Sequence, residues 1–175
     1  MQYFSPQQIR ELTGITPETL RDWRHRGLLT GFGVVPLENG WTRDLEKIKQ
    51  LKRPTWLYLR GEVTTLALAK SLTTLRVELS AALHIASLLN LYVIAWLVES
   101  YGAYRDMPYA IAWPEEDGHP SPIGIEPGKF GVVRLDDLNR IPAYAGGKAL
   151  VFDLKKLALD LPEPLRDLLS NEQAS

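Results

Sequence analysis

Residues 16–26, Thr-Pro-Glu-Thr-Leu-Arg-Asp-Trp-Arg-His-Arg, concentrate donors and cations in one short stretch. Thr19, Arg21, Arg24, His25 and Arg26 are side chains that hold oxyanions or meet planar acceptors. A guanidinium presents a rigid fork of N–H groups and can grip two acceptors at once, whereas an ammonium supplies mostly charge. Arg21 and Arg24 are three residues apart and share a helix face. Thr16 and Thr19 suit phosphate oxygens, as do the unpaired amides at a helix start. Trp23 has two readings, packing beneath the helix or a phosphate contact through its indole N–H. His25 reads as a surface residue.

These groups need a helix to space them. Ser5 is a good N-cap, Pro6 suits the first helical position and Gln8 completes a capping box. Ile9 and Leu12 share a face, and Gly14 ends this first helix. Thr16 and Pro17 then open a second, over 17–26, with Leu20 and Trp23 at apolar spacing and Gly27 as its stop. Two short helices joined by a tight glycine turn predict a helix-turn-helix unit.

Further along, Val34-Val35 and Trp41-Thr42 read as hairpin strands around Asn39-Gly40. Residues 44–53 read as a basic helix ending before Pro54, and Trp56-Leu57-Tyr58-Leu59 as a strand. Residues 62–101 read as helical, with a break at 76–80 and Ser80 capping a very apolar helix over about 81–99. Ala81 to Val98 carry no formal charge, the length of a membrane span. The stripe His84, Ser87 and Asn90 and the lack of basic flanks favour a core helix. Residues 109–113, 130–135 and 149–152 predict a small sheet of about three strands, followed by a helix from Asp153 that restarts near Pro162 and Pro164. The expected fold is mainly α with a small β component: an N-terminal helix-turn-helix domain over 1–63, central helices over 64–104 for core or dimerisation, and a small α+β region over 105–175.

Charge is divided unevenly. The chain has 20 basic and 21 acidic residues, a net charge of −1. Residues 1–60 hold ten bases against six acids, a net +4, and the remainder carries −5. A basic head on an acidic body suggests that the head meets a polyanion. The cluster Lys47, Lys49, Lys52 and Arg53 has two readings, a track for backbone phosphates or a solvated face.

The absence of cysteine excludes disulfides, thiolate metal sites and a Cys nucleophile. His25, His84 and His119 lack metal-ligand spacing. Gly128-Lys129-Phe130-Gly131 lacks the spacing of a phosphate loop. The acidic groups 115–117 and 136–137 read as solvated loops. Tyr101, Tyr104, Tyr109 and Trp113 read as core at a sheet edge, or else line a ligand pocket. No secretion signal is visible at the start. The expectation is a cytoplasmic, nucleoid-associated protein that is not an enzyme and needs no cofactor, metal or membrane.

The run from Tyr3-Phe4-Ser5 through Ile9, Leu12-Thr13-Gly14-Ile15-Thr16-Pro17, Thr19-Leu20-Arg21, Trp23 and Gly27-Leu28-Leu29 resembles the DNA-binding head of the mercury-resistance-regulator (MerR) family. The family pattern is a cap, a short helix, Leu-Thr-Gly-Val, then Ser/Thr-x-x-Thr-Leu-Arg-Tyr-Tyr/Trp and Gly-Leu. The likeness spans residues 3–29. It implies a winged helix-turn-helix on double-stranded DNA, usually as a homodimer, with Thr19, Arg21 and Trp23 on matching positions. Asp22 replaces a common aromatic, and Arg24 stands where an acid is frequent. Two segments fit the wing: 39–45, with Arg43 leading into a helix, and 56–63, with Tyr58 on the family tyrosine and Arg60 beside it. The second is preferred, with 31–55 as an enlarged wing. The long dimerisation coiled coil and the metal-sensing thiols of the family have no counterpart here.

The function expected is a sequence-specific transcriptional regulator that reads the major groove with helix 17–26, with flanking contacts from a basic wing. The C-terminal region would add self-association or a protein partner. Two alternatives stand beside it: a phage-type architectural protein such as an excisionase or terminase small subunit, and a protein-interaction module whose helix-turn-helix no longer binds DNA.

Overall fold

The computed structural model describes residues 2–98, 108–112, 130–134, 136 and 150–171. Tyr101, Tyr104, Trp113, His119, the acidic run 115–117, Asp137 and the Gly128-Lys129 segment lie outside them. The chain divides into two compact units, Met1–Asn90 with Leu161–Leu168, and Leu91–Asp160 with Leu169–Ser175.

The first unit begins with strand β1 (Tyr3–Phe4), then α1 (Pro6–Thr13) and α2 (Pro17–His25). The capping box at Ser5 is present: its Oγ accepts from Gln8 N–H, and Gln8 Oε1 accepts from Ser5 N–H at 2.8 Å. Gly14 adopts φ +67°, and its N–H reaches Arg10 O at 2.8 Å. A β-carbon there would be strained and would lie 3.1 Å from Lys70 Nζ. Lys70 donates to Thr13 O, so a cation sits on the carbonyl end of α1.

A hairpin follows, β2 (Val35–Leu37) and β3 (Gly40–Thr42), paired Val35 to Thr42 and Leu37 to Gly40. The tight turn is therefore Glu38-Asn39, one residue earlier than Asn39-Gly40. Helix α3 (Leu45–Lys49) is shorter than the expected 44–53. Asp44 caps it, and Ile48 is its buried residue. A Val34–Leu57 bridge closes the hairpin excursion, and β4 (Tyr58–Leu59) returns antiparallel to β1. Both segments considered for the wing are thus parts of one excursion: 35–42 forms the tip and 57–59 the return.

Helix α4 (Arg60–Thr74) packs on α1 and the β1–β4 ladder. Its inner side is fully apolar at Val63, Leu66, Ala69 and Leu72. Helix α5 (Leu79–Leu97) starts two residues earlier than expected. Its cap is Glu78 rather than Ser80: the carboxylate accepts from the Ser80 hydroxyl and from Ser80 and Ala81 N–H. Those bonds, led by the one from the Ser80 hydroxyl, hold the Glu78 carboxyl below the ordinary Glu range. Asn90 Nδ2 donates to Thr65 Oγ1 at 2.9 Å and to Gly61 O at 3.3 Å, tying α5 to the first turns of α4. Among the described residues α5 alone is long and apolar enough to cross a membrane, with a mean hydropathy of 1.6 and 33% of that window buried.

In the second unit β5 (Tyr109–Ala112) lies between β6 (Phe130–Val133) and β7 (Leu150–Asp153), all antiparallel. Asp153 caps α6 (Leu154–Leu159) through Lys156 N–H. Helix α7 (Glu163–Asn171), counted with the first unit as far as Leu168, closes the described chain. The fold is mainly α with small antiparallel sheets.

Candidate functional site

The turn between α1 and α2 is set by a threonine. Thr13 Oγ1 donates to Ile9 O at 2.7 Å and accepts from Ile15 N–H at 3.1 Å, which fixes the exit from α1. Thr16 then caps α2 by accepting from Thr19 N–H, and the two threonine hydroxyls pair at 3.1 Å. Leu20 and Trp23 point inward, 2% and 9% exposed. Helical periodicity consequently turns Arg21, Asp22, His25 and Arg26 out to solvent and leaves Arg24 half-buried.

Arg24 is the best-held side chain of the group. Its Nη2 donates to Tyr58 Oη at 2.9 Å and to Phe32 O at 3.1 Å. Its guanidinium lies 3.3 Å from the centre of the Trp56 ring, a cation–π stack. Gly33 makes this arrangement possible. It has φ +74°, and a β-carbon there would stand 3.1 Å from Leu57 O, 3.2 Å from Arg24 Nη2 and 3.2 Å from Trp56 Cε3. Arg24 therefore clasps α2 to the returning strand.

The geometry bears on three expectations. Arg24, expected at a base edge or phosphate, spends its best-placed donors inside the protein. Tyr58, placed on the family tyrosine of the wing, is 1% exposed and accepts from Arg24. Trp23 follows its packing reading. The basic wing is also altered. Arg43 pairs with Glu62 at 2.9 Å, Lys47 with Asp44 at 3.9 Å and Lys49 with Glu46 at 2.7 Å. The hairpin tip itself carries Glu38 and no cation. Its side is apolar, with Leu37, Trp41 and Leu45 all exposed and Tyr3 stacked on Trp41 at 4.4 Å. Lys52 and Arg53 are exposed, and Arg60 is half-buried in the first turn of α4. Arg26 faces Asp22 at 3.6 Å across one helical turn.

What remains outward is a cleft of ≈ 510 Å³ beside α2. Pro6 and Pro17, the first residues of α1 and α2, line it together with Arg21, Arg24, His25 and Trp56. No carboxylate is among the described residues that line it. The first turns of two helices bring positive dipole ends to it, while Ser5 and Thr16 already cap Gln8 and Thr19 N–H and the prolines carry none. Glu18, at the start of α2, is held below the ordinary Glu range by a backbone hydrogen bond, then by the Thr16 hydroxyl, with a smaller contribution from Arg21. That start of α2 thus favours negative charge. Sequence reasoning placed Arg21, Arg24 and His25 together. It missed Trp56 and Gly33 as partners of Arg24, because a cross-chain stack leaves no periodic trace. Among the described residues no group of three His, Asp or Glu side chains is placed to hold a metal ion.

No protein-family model matches the chain, and no curated protein does.

Proposed function

We propose that this chain is a sequence-specific regulator of the MerR-like kind that binds double-stranded DNA through α2 and the cleft beside it. The observation that carries the reading is the cleft, where two helix starts, Arg21 and His25 converge without a carboxylate. In this reading α2 lies in the major groove and Arg21 meets a base edge or phosphate. The sugar-phosphate backbone runs along the starts of α1 and α2, with Thr16 and Thr19 alongside. Arg24 sets the angle between α2 and the hairpin and adds charge to the cleft wall. Lys52 and Arg53 supply further phosphate contacts. The rest of the chain mediates self-association as a homodimer or contact with a protein partner, and the protein works in the cytoplasm at the nucleoid.

The test is selection of bound duplexes from a randomised pool by the full chain. The reading predicts enrichment of a motif with two half-sites about one or two helical turns apart, as paired recognition helices demand. A pool that stays unenriched at low salt contradicts it. A second reading, a protein-interaction module, draws support from the exposed Leu37, Trp41 and Leu45 beside the hairpin. The unenriched pool is the outcome that reading expects.

A further inference from the structure

Arg24 and Trp56 also border a second, smaller cavity of ≈ 190 Å³ within the first unit. Phe32, Leu29 and Leu45 give it an apolar lining, and Arg43 brings a second guanidinium. No carboxylate is among the described residues that line it. Leu29 is 1% exposed and Arg43 is open to solvent, so the cavity has a dry end and a wet one. Ligand pockets are concave and mostly apolar, with a few placed polar groups, and typically hold about 300–1,000 Å³. This one has the same character on a smaller scale, room for a single ring and not for a nucleotide.

Both cations have capacity to spare. Arg24 makes its two hydrogen bonds through Nη2, and its Nε and Nη1 hydrogens have no acceptor among the described residues. Arg43 holds Glu62 Oε1, while Glu62 Oε2 accepts from Leu59 N–H at 2.8 Å. If Arg43 turned toward a ligand, Glu62 would keep its bond at the start of α4. Carboxylates form short, charge-assisted bonds to guanidinium forks, and an aromatic ring suits walls of Phe and Trp.

We infer that this cavity binds a compact aromatic carboxylate, with its ring between Phe32 and Trp56 and its carboxylate between Arg24 and Arg43. Binding draws on Arg24, so the occupant changes how firmly α2 is held to the hairpin. The binding step stands by itself, and only its effect on duplex affinity rests on the proposed DNA function. The probe is benzoate, added to the full chain without DNA while thermal unfolding is followed. Benzyl alcohol, the neutral counterpart, and inorganic phosphate at matched ionic strength are the controls.

Benzoate at millimolar concentration raises the melting temperature and saturates, while neither control does so. Arg43→Gln weakens the benzoate response about tenfold, the scale of one hydrogen bond to a charged group. Leu45→Glu, also at an exposed position, abolishes the response by placing a like charge at the rim. The inference is overturned if benzoate gives no saturable shift, if phosphate gives the same one, or if Arg43→Gln leaves the benzoate affinity unchanged. Duplex selection by the same preparation is scored separately, so failure of either reading leaves the other result standing.

Discussion

Replacing Arg24 with alanine lowers the melting temperature by about 6–12 °C. The guanidinium makes two hydrogen bonds and one ring stack. Hydrogen bonds to a charged group contribute about 1.5–3 kcal/mol and a cation–π contact about 0.5–2 kcal/mol. Tyr58, 1% exposed, is then left without its donor. Arg24 is half-buried, so solvent screening brings the loss just under the low end of that sum, to about 3 kcal/mol, and each kcal/mol moves the midpoint of a chain of this size by about 2–4 °C. Arg24→Lys falls between, because the ammonium keeps the charge but gives up the flat stack and the fork. Calorimetry measures the shift, and near-ultraviolet circular dichroism reports the indole freed from its cation. A midpoint within a degree of the parent would show that the clasp contributes nothing.

Replacing Gly33 with alanine reaches the same clasp from the backbone side. A residue with a β-carbon pays about 1–2 kcal/mol in the left-handed region, and overpacking costs about 1–3 kcal/mol more. The contacts that force the second cost are Leu57 O, Arg24 Nη2 and Trp56 Cε3, each within 3.2 Å of the added carbon. The sum is about 2–5 kcal/mol, read as a lower urea midpoint at unchanged slope. The two substitutions share partners, so Arg24→Ala combined with Gly33→Ala costs less than the sum of the singles. Strict additivity would mean that the glycine and the arginine act on different structures.

How legible this was depended on distance along the chain. The first two helices were readable because their signals are local: Ser5 with Gln8, Thr16 with Pro17, Gly14 at the turn. The inward Leu20 and Trp23 follow from the same periodicity. Contacts across tens of residues were not readable. Arg24 looked like a DNA contact because its neighbours Arg21 and His25 are outward, and nothing within helix 17–26 announces Trp56 or Tyr58. The basic face of α3 looked free because composition counts Lys47 and Lys49 without their neighbours Asp44 and Glu46. The cap of α5 was misplaced because Ser80 is a good cap by type, while Glu78 reaches three donors from two residues earlier. The two-residue turn at Glu38-Asn39 escaped because Asn-Gly is the stronger turn signal, and Gly40, at φ +136°, serves as a strand residue instead.

The central claim is that the Arg21 side of α2 is the surface that meets duplex DNA. The direct measurement is equilibrium binding to a selected duplex across a range of salt, for the parent and for Arg21→Ala, with affinity plotted against salt on logarithmic axes. Each phosphate neutralised contributes about 0.9 to the slope, and a lost base contact costs about 1–3 kcal/mol. The account predicts a steep slope for the parent and weaker binding for Arg21→Ala. If Arg21 sits on a phosphate, the slope is shallower by about one unit; if it reads a base, the loss is confined to particular sequences. Parental affinity, slope and sequence preference in Arg21→Ala would contradict it.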